Sequence, residues 1–152
     1  MIGKKSPHIF VSESYNRSDD WAISKIKEYI ISKGYEVKKK DSEDFSVDII
    51  AKKNNKIQFF EVETKTGYTF SDEDSFSFDT VSFLGRKKKW AHRGFLYVII
   101  CRETGAFLIC NSKVIYQEKY AESIHINSSE RKGIDNFYRV PKSECRWYNL
   151  NS

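Results

Sequence analysis

Asp48, Glu61, Glu63 and Lys65 are the side chains whose types and spacing carry the most chemistry. Residues 47–52 and 57–65 are β-rich runs joined by Lys53-Asn54-Asn55-Lys56, and the Asn pair tolerates the left-handed backbone of a tight hairpin. If that turn sets the register, Lys52 faces Ile57, Ile50 faces Phe59 and Asp48 faces Glu61. Alternation then places Asp48, Ile50, Phe59, Glu61, Glu63 and Lys65 on one face of the hairpin. Val47, Ile49, Ala51, Phe60 and Val62 fall on the other. Three carboxylates on neighbouring positions repel one another, and like charges directly across a ladder destabilise it. A hard divalent cation, which prefers several carboxylate oxygens, turns the same clustering into an advantage. An ammonium beside a metal-bound phosphate, as Lys65 would be, orients water or stabilises developing charge.

The hairpin needs neighbours to hold that face in place. Ser18-Asp19-Asp20 offers capping side chains, and Trp21, Ala22, Ile26, Tyr29 and Ile30 recur at helical steps before Gly34, which suits the C′ position. This predicts a helix over about 21–33, preceded by a polar, irregular stretch. Residues 35–38 read as a short strand and 41–44 as a turn. Residues 67–79 form a polar and aromatic loop with an acidic knot at Asp72-Glu73-Asp74. Residues 80–84 fit either a short strand or a helix start, and 86–93 is a basic run with helical character. Residues 95–101 and 106–110 are apolar on both faces, which predicts central strands covered by helices on each side. Further on, 114–122 reads as helical, and 123–126 and 137–140 as short strands. With no repeats and no Pro/Gly/Ser linker, the expectation is one mixed α/β domain over 1–152. Its core spans about 18–110, and 111–152 packs on it as a C-terminal extension.

The bulk properties fit that scheme. A chain of 152 residues with 39% hydrophobic and 31% charged side chains is long enough for a real core and too hydrophobic for disorder. The longest apolar run, seven residues over 95–101, is far short of the ~20 a membrane helix needs, and no secretory signal is visible. The net charge of +5 is uneven: residues 1–80 carry 13 basic and 15 acidic side chains, and 81–152 carry 13 and 6. A basic half suggests a polyanion partner. Cys101, Cys110 and Cys145 form neither a CxxC nor a zinc-ligand pattern. They read as buried thiols in a reducing cytoplasm, and a cytoplasmic location without membrane partners is expected.

Asp48-Ile49-Ile50, followed fifteen residues later by Glu63-Thr64-Lys65 on the paired strand, resembles the PD-(D/E)xK nuclease superfamily. The resemblance covers roughly 18–101, including the preceding helix, the basic segment and the apolar strand. It implies a restriction-endonuclease-like core, a mixed central β-sheet flanked by helices in αβββαβ order. It also implies a Mg²⁺-dependent endonuclease acting on DNA, with Mn²⁺ as a substitute ion. By carry-over Asp48 and Glu63 would be metal ligands, helped by the Thr64 carbonyl, and Lys65 the catalytic lysine. Glu61 would be an additional acid opposite Asp48, in both the metal site and the catalytic set. Val47 stands where the family has Pro, and Glu61-Val62-Glu63 offers a second register in which Glu63 replaces the lysine. The further acid often found on the first helix has Asp20 and Glu28 as candidates.

Arg86, Lys87, Lys88, Lys89 and Arg93 around Trp90 suit a phosphate clamp; Trp90 itself is better placed in the core. Lys38-Lys39-Lys40, Arg131, Lys132, Arg139, Lys142 and Arg146 would widen that footprint, while Trp147 and Tyr148 fit either stacking on bases or, the better reading, tethering the tail. A homodimer would suit double-strand cleavage. The competing readings are a non-catalytic nucleic-acid-binding module on a degenerate nuclease fold, and a protein-interaction domain with an incidental acidic patch.

Overall fold

A computed structural model of the chain describes residues 7–39, 47–65, 69–127 and 132–151. Helix α1 runs Pro7–Ser32, so it starts eleven residues before the expected cap at Ser18. Pro7 is well suited to a first helical turn, and 8–32 contains neither Gly nor Pro to stop the helix. At its other end Gly34 takes φ +98°, Gly34 N–H donates to Ile31 O and Tyr35 N–H to Ile30 O, both at 3.0 Å. This is a Schellman stop, and it needs the residue without a Cβ.

The hairpin forms as the Asn pair dictates. Strands β2 (Ile49–Lys53) and β3 (Lys56–Lys65) meet at Asn54 and Asn55, with φ of 53° and 64°. Lys52 pairs with Ile57 and Ile50 with Phe59, in the expected register. The short strand β1 (Glu36–Val37) pairs with β2 on its outer side. On the far side β3 runs parallel to β5 (Leu96–Cys101), which continues through β6 (Ala106–Asn111) to β9 (Arg146–Asn149). The result is a six-stranded mixed sheet in the order β1-β2-β3-β5-β6-β9.

Two cores follow from the two faces of this sheet. Ala22, Ile26 and Ile30, four residues apart on α1, pack on Ile49, Ala51, Phe60, Val62, Val98, Ile100 and Phe107. The opposite face carries Tyr97, Ile99, Cys101, Leu108 and Cys110. It is covered not by a helix but by a second, three-stranded sheet in the order β4-β8-β7. Strand β4 (Thr80–Leu84) supplies Val81 and Phe83 to this core, and β8 (Lys132–Pro141) supplies Tyr138 and Val140. Strand β7 (Ala121–Asn127) closes the small sheet. Strands apolar on both faces are therefore correctly read as buried, but periodicity cannot tell whether a helix or a sheet buries them.

Of the two readings open for 80–84, the structure takes the strand. The basic run is helical, as a 3-10 helix over Gly85–Arg93. One expectation needs correcting. The helix over 114–122 is reduced to α2 (Ser112–Ile115) and a 3-10 turn, Glu118–Tyr120, because β7 begins at Ala121 to pair with β8. In the αβββαβ scheme the second helix thus gives way to β4 plus a 3-10 segment. The coarse class, mixed α and β around a mixed sheet, stands. Among the described residues no helix is long and apolar enough to cross a membrane. Cys101, Cys110 and Cys145 are buried free thiols.

Gly85 is where the small sheet passes into the 3-10 segment, and a Cβ there would lie 2.5 Å from the Asn136 carbonyl oxygen of β8. Gly85→Ala is expected to destabilise the fold by about 1–3 kcal/mol in urea denaturation, because β8 must move to admit the methyl group.

Candidate functional site

The acid face lies where β2 runs out. The last ladder pair is Ile49 with Phe60, and one step beyond it the backbone pairing is replaced by side chains. Asp48 N–H donates to Glu61 Oε2 at 3.0 Å, and Val62 N–H donates to Asp48 Oδ2 at 2.8 Å. Each acid thus satisfies a main-chain donor that the ended ladder leaves behind. The structure brings Asp48 and Glu61 together as the register requires.

Two cations and a phenol complete the arrangement. Lys87 Nζ reaches Glu61 Oε1 at 3.3 Å, with only 17% and 7% of the two side chains exposed. Glu61 therefore has both oxygens engaged. One step along β3, Tyr97 O–H donates to Glu63 Oε1 at 2.5 Å, and Lys65 Nζ lies 3.7 Å from Glu63 Oε2. Lys87 Nζ also sits 5.1 Å above the Tyr97 ring. Carboxylates that would otherwise repel are interleaved with ammonium groups and a hydrogen-bond donor. Thr64, between Glu63 and Lys65, is buried and points its side chain to the α1 face by strand alternation.

Burial and charge shift these groups in definite directions. Desolvation pushes the Glu61 carboxyl above its ordinary value; Lys87 pulls it back, and Asp48 pushes it up again. Burial, followed by the Glu63 charge and hydrogen bond, holds the Tyr97 phenol well above its usual range, so it remains a donor. Tyr116 is raised by burial and then by Glu61, which places a second phenol in the field of the acids.

The basic run divides by the period of its helix. A 3-10 helix eclipses residues three apart, and Lys87, Trp90 and Arg93 share one half-buried side. Trp90 packs against the core, as its type suggested, and the Arg93 guanidinium lies 4.8 Å from the Phe59 ring centroid. Lys87 is thus part of the acid face and not of an outward clamp. Arg86, Lys88 and Lys89 are exposed.

The wider footprint is mixed. Lys38, Lys39 and Arg146 are exposed, and Arg139 pairs with Glu122 at 3.0 Å. Lys142 binds the carbonyls of Glu73 and Phe76 in the acidic loop. Lys40 and Arg131 lie outside the described residues, as does the Lys132 side chain. Trp147 and Tyr148 do tether the tail, through the Lys142 carbonyl and a stack on Phe107. Asp20 and Glu28 are exposed, and α1 packs against the face of the sheet opposite Glu61 and Glu63, so neither joins the acids.

Sequence reasoning missed Tyr97 and the inward turn of Lys87. Tyr97 had one signal, the sole hydroxyl in an apolar strand, but its meeting with Glu63 depends on the parallel β3–β5 register. Lys87 is found only if the run is read with a period of three.

The fit to a divalent ion is one of donor type. Carboxylates are the right ligands for a hard cation. The bonds described commit one oxygen of Asp48 and one of Glu63 to protein donors, and both of Glu61. Among the described residues no three His, Cys, Asp or Glu side chains converge as a ready-made cage, and no buried side-chain nitrogen or oxygen lacks a hydrogen-bond partner. No protein-family model and no curated protein matches the sequence.

Because Lys87 lowers and Asp48 raises the titration of Glu61, Lys87→Met is expected to move it further up and Asp48→Asn to move it down. Carboxyl ¹³C NMR titration reads both shifts. A fall in Lys87→Met would show that Lys87 does not pair with Glu61.

Proposed function

We propose that the chain is a metal-dependent endonuclease that hydrolyses DNA phosphodiester bonds. The observation that carries this reading is the hairpin register, which lines up Asp48, Glu61, Glu63 and Lys65 on one face directly against a cationic segment. The resemblance of Asp48 and Glu63-Thr64-Lys65 to the PD-(D/E)xK superfamily supplies the reaction class, the restriction-endonuclease-like ancestry and DNA as substrate.

Asp48 and Glu63, with the Thr64 carbonyl, are the groups that would hold Mg²⁺ or Mn²⁺. Such an ion supplies Lewis acidity toward a phosphoryl oxygen and activates water. Lys65, 24% exposed, is placed to stabilise negative charge developing on the phosphate. Glu61 serves beside them as the acid that fixes Asp48 and takes up the charge of Lys87. Exposed Arg86, Lys88 and Lys89 hold the phosphate chain, with Arg93 at the edge of the same segment. A homodimer would place two such sites on the two strands of a duplex.

The internal saturation of Glu61 favours a second reading, a non-catalytic nucleic-acid-binding module in which the acids and Lys87 brace the fold. Incubation with supercoiled, linear, single-stranded and branched DNA, with Mg²⁺, Mn²⁺ or EDTA, separates the two. The nuclease reading predicts metal-dependent cleavage that falls by about 10²-fold or more in Asp48→Asn, Glu63→Gln and Lys65→Met. Tight binding with no cleavage of any substrate would establish the second reading.

Binding itself divides the lysines. Lys88→Ala and Lys89→Ala should each reduce the slope of log affinity against log salt by about 1, whereas Lys87→Met should leave it unchanged. An equal loss in Lys87→Met would place that ammonium on the polyanion and not on Glu61.

A further inference from the structure

We propose that Tyr97 is a positioning residue that sets the Glu63 carboxylate and locks it to the start of the cationic segment. The inference deepens the nuclease reading and rests on it. The Tyr97 oxygen has two neighbours that define its role. Leu84 N–H donates to it at 3.4 Å, so its own proton is directed to Glu63 Oε1. The ring is fully buried and edge-packed on Phe83, with centroids 4.8 Å apart and planes at 72°. Phe95 lies on another side at 6.2 Å. A ring so confined leaves its hydroxyl little freedom, and the carboxylate it binds inherits that restriction.

Leu84 gives the contact its reach. It is the last residue of β4, and the 3-10 segment begins at Gly85. Its N–H is taken by Tyr97, and its carbonyl accepts the Tyr116 hydroxyl at 2.9 Å. Leu84, which leads into the segment carrying Arg86, Lys88 and Lys89, is therefore held at both its N–H and its carbonyl, and at the N–H by the phenol that binds Glu63. A phosphate chain lying on those lysines is thereby kept in register with the acid. Without the hydroxyl, Glu63 loses the phenol donor on Oε1 and can turn toward Lys65, whose ammonium lies 3.7 Å from Oε2.

Tyr97→Phe tests this, because it removes one oxygen and keeps the packed ring. The expected result is a fall in kcat of about tenfold or more with KM within about twofold of wild type, the signature of an interaction that matters in the transition state. Affinity for DNA in EDTA should stay within about twofold of wild type, and the melting temperature within a few degrees. A kcat within about twofold of wild type would overturn the role of Tyr97 while leaving the nuclease reading intact. So would a joint loss of kcat, DNA affinity and melting temperature, which marks a residue needed only for folding. A wild-type protein inert on every DNA substrate would overturn the functional reading and this inference with it.

Discussion

The Asn54–Asn55 turn sets a pairing register along the hairpin, and every property of the acid face depends on it. Side chains alternate with a period of two, so a slip of one residue would carry Glu61, Glu63 and Lys65 to the face under α1. There they would displace Phe60 and Val62 from an apolar core and leave charges buried without partners. The hydrophobic pattern and the turn therefore enforce the same register. Where the ladder ends, Asp48 and Glu61 take over its hydrogen bonds, so the acids are bound into the sheet and not merely displayed on it.

Placing three carboxylates together has a cost, which the rest of the fold offsets. Between β3 and β5, strand β4 and the 3-10 segment lie over this face of the sheet, which brings Lys87 onto Glu61 and β4 onto Tyr97. The surplus of acid in the first half of the chain and of base in the second is thus partly an internal contact. The same crossover leaves Arg86, Lys88 and Lys89 outward, so one short segment faces the acids with one side and solvent with the other. Its 3-10 period makes this division possible, since a three-residue repeat separates Lys87 from its basic neighbours.

Much of this was legible in the sequence, for local reasons. The hairpin follows from two asparagines and an alternating pattern, and the end of α1 follows from Gly34. The burial of β5 and β6 follows from unbroken apolar runs. What escaped depends on long-range pairing. Whether those strands lie under a helix or under a second sheet is decided by β4 joining β8 across more than fifty residues. The start of α1 at Pro7 escaped because a polar stretch lacks amphipathic periodicity even when nothing breaks the helix. The direction of Lys87 escaped because charge runs read as solvated, and its Glu61 partner lies twenty-six residues earlier in the chain. Tyr97 and Glu63 meet only through a parallel strand pair, which no local pattern encodes.

On the proposed nuclease reading, this acid face is a divalent-cation site and not only a brace. Ca²⁺ binds carboxylates and is a poor substitute in phosphoryl hydrolysis, so it separates binding from turnover. Calcium titration followed by melting temperature reads that binding by mass action, because a ligand of the folded state raises the midpoint. The account predicts a saturable rise in the wild-type protein that is lost in Glu63→Gln. A flat titration, or an equal rise in both proteins, would contradict it.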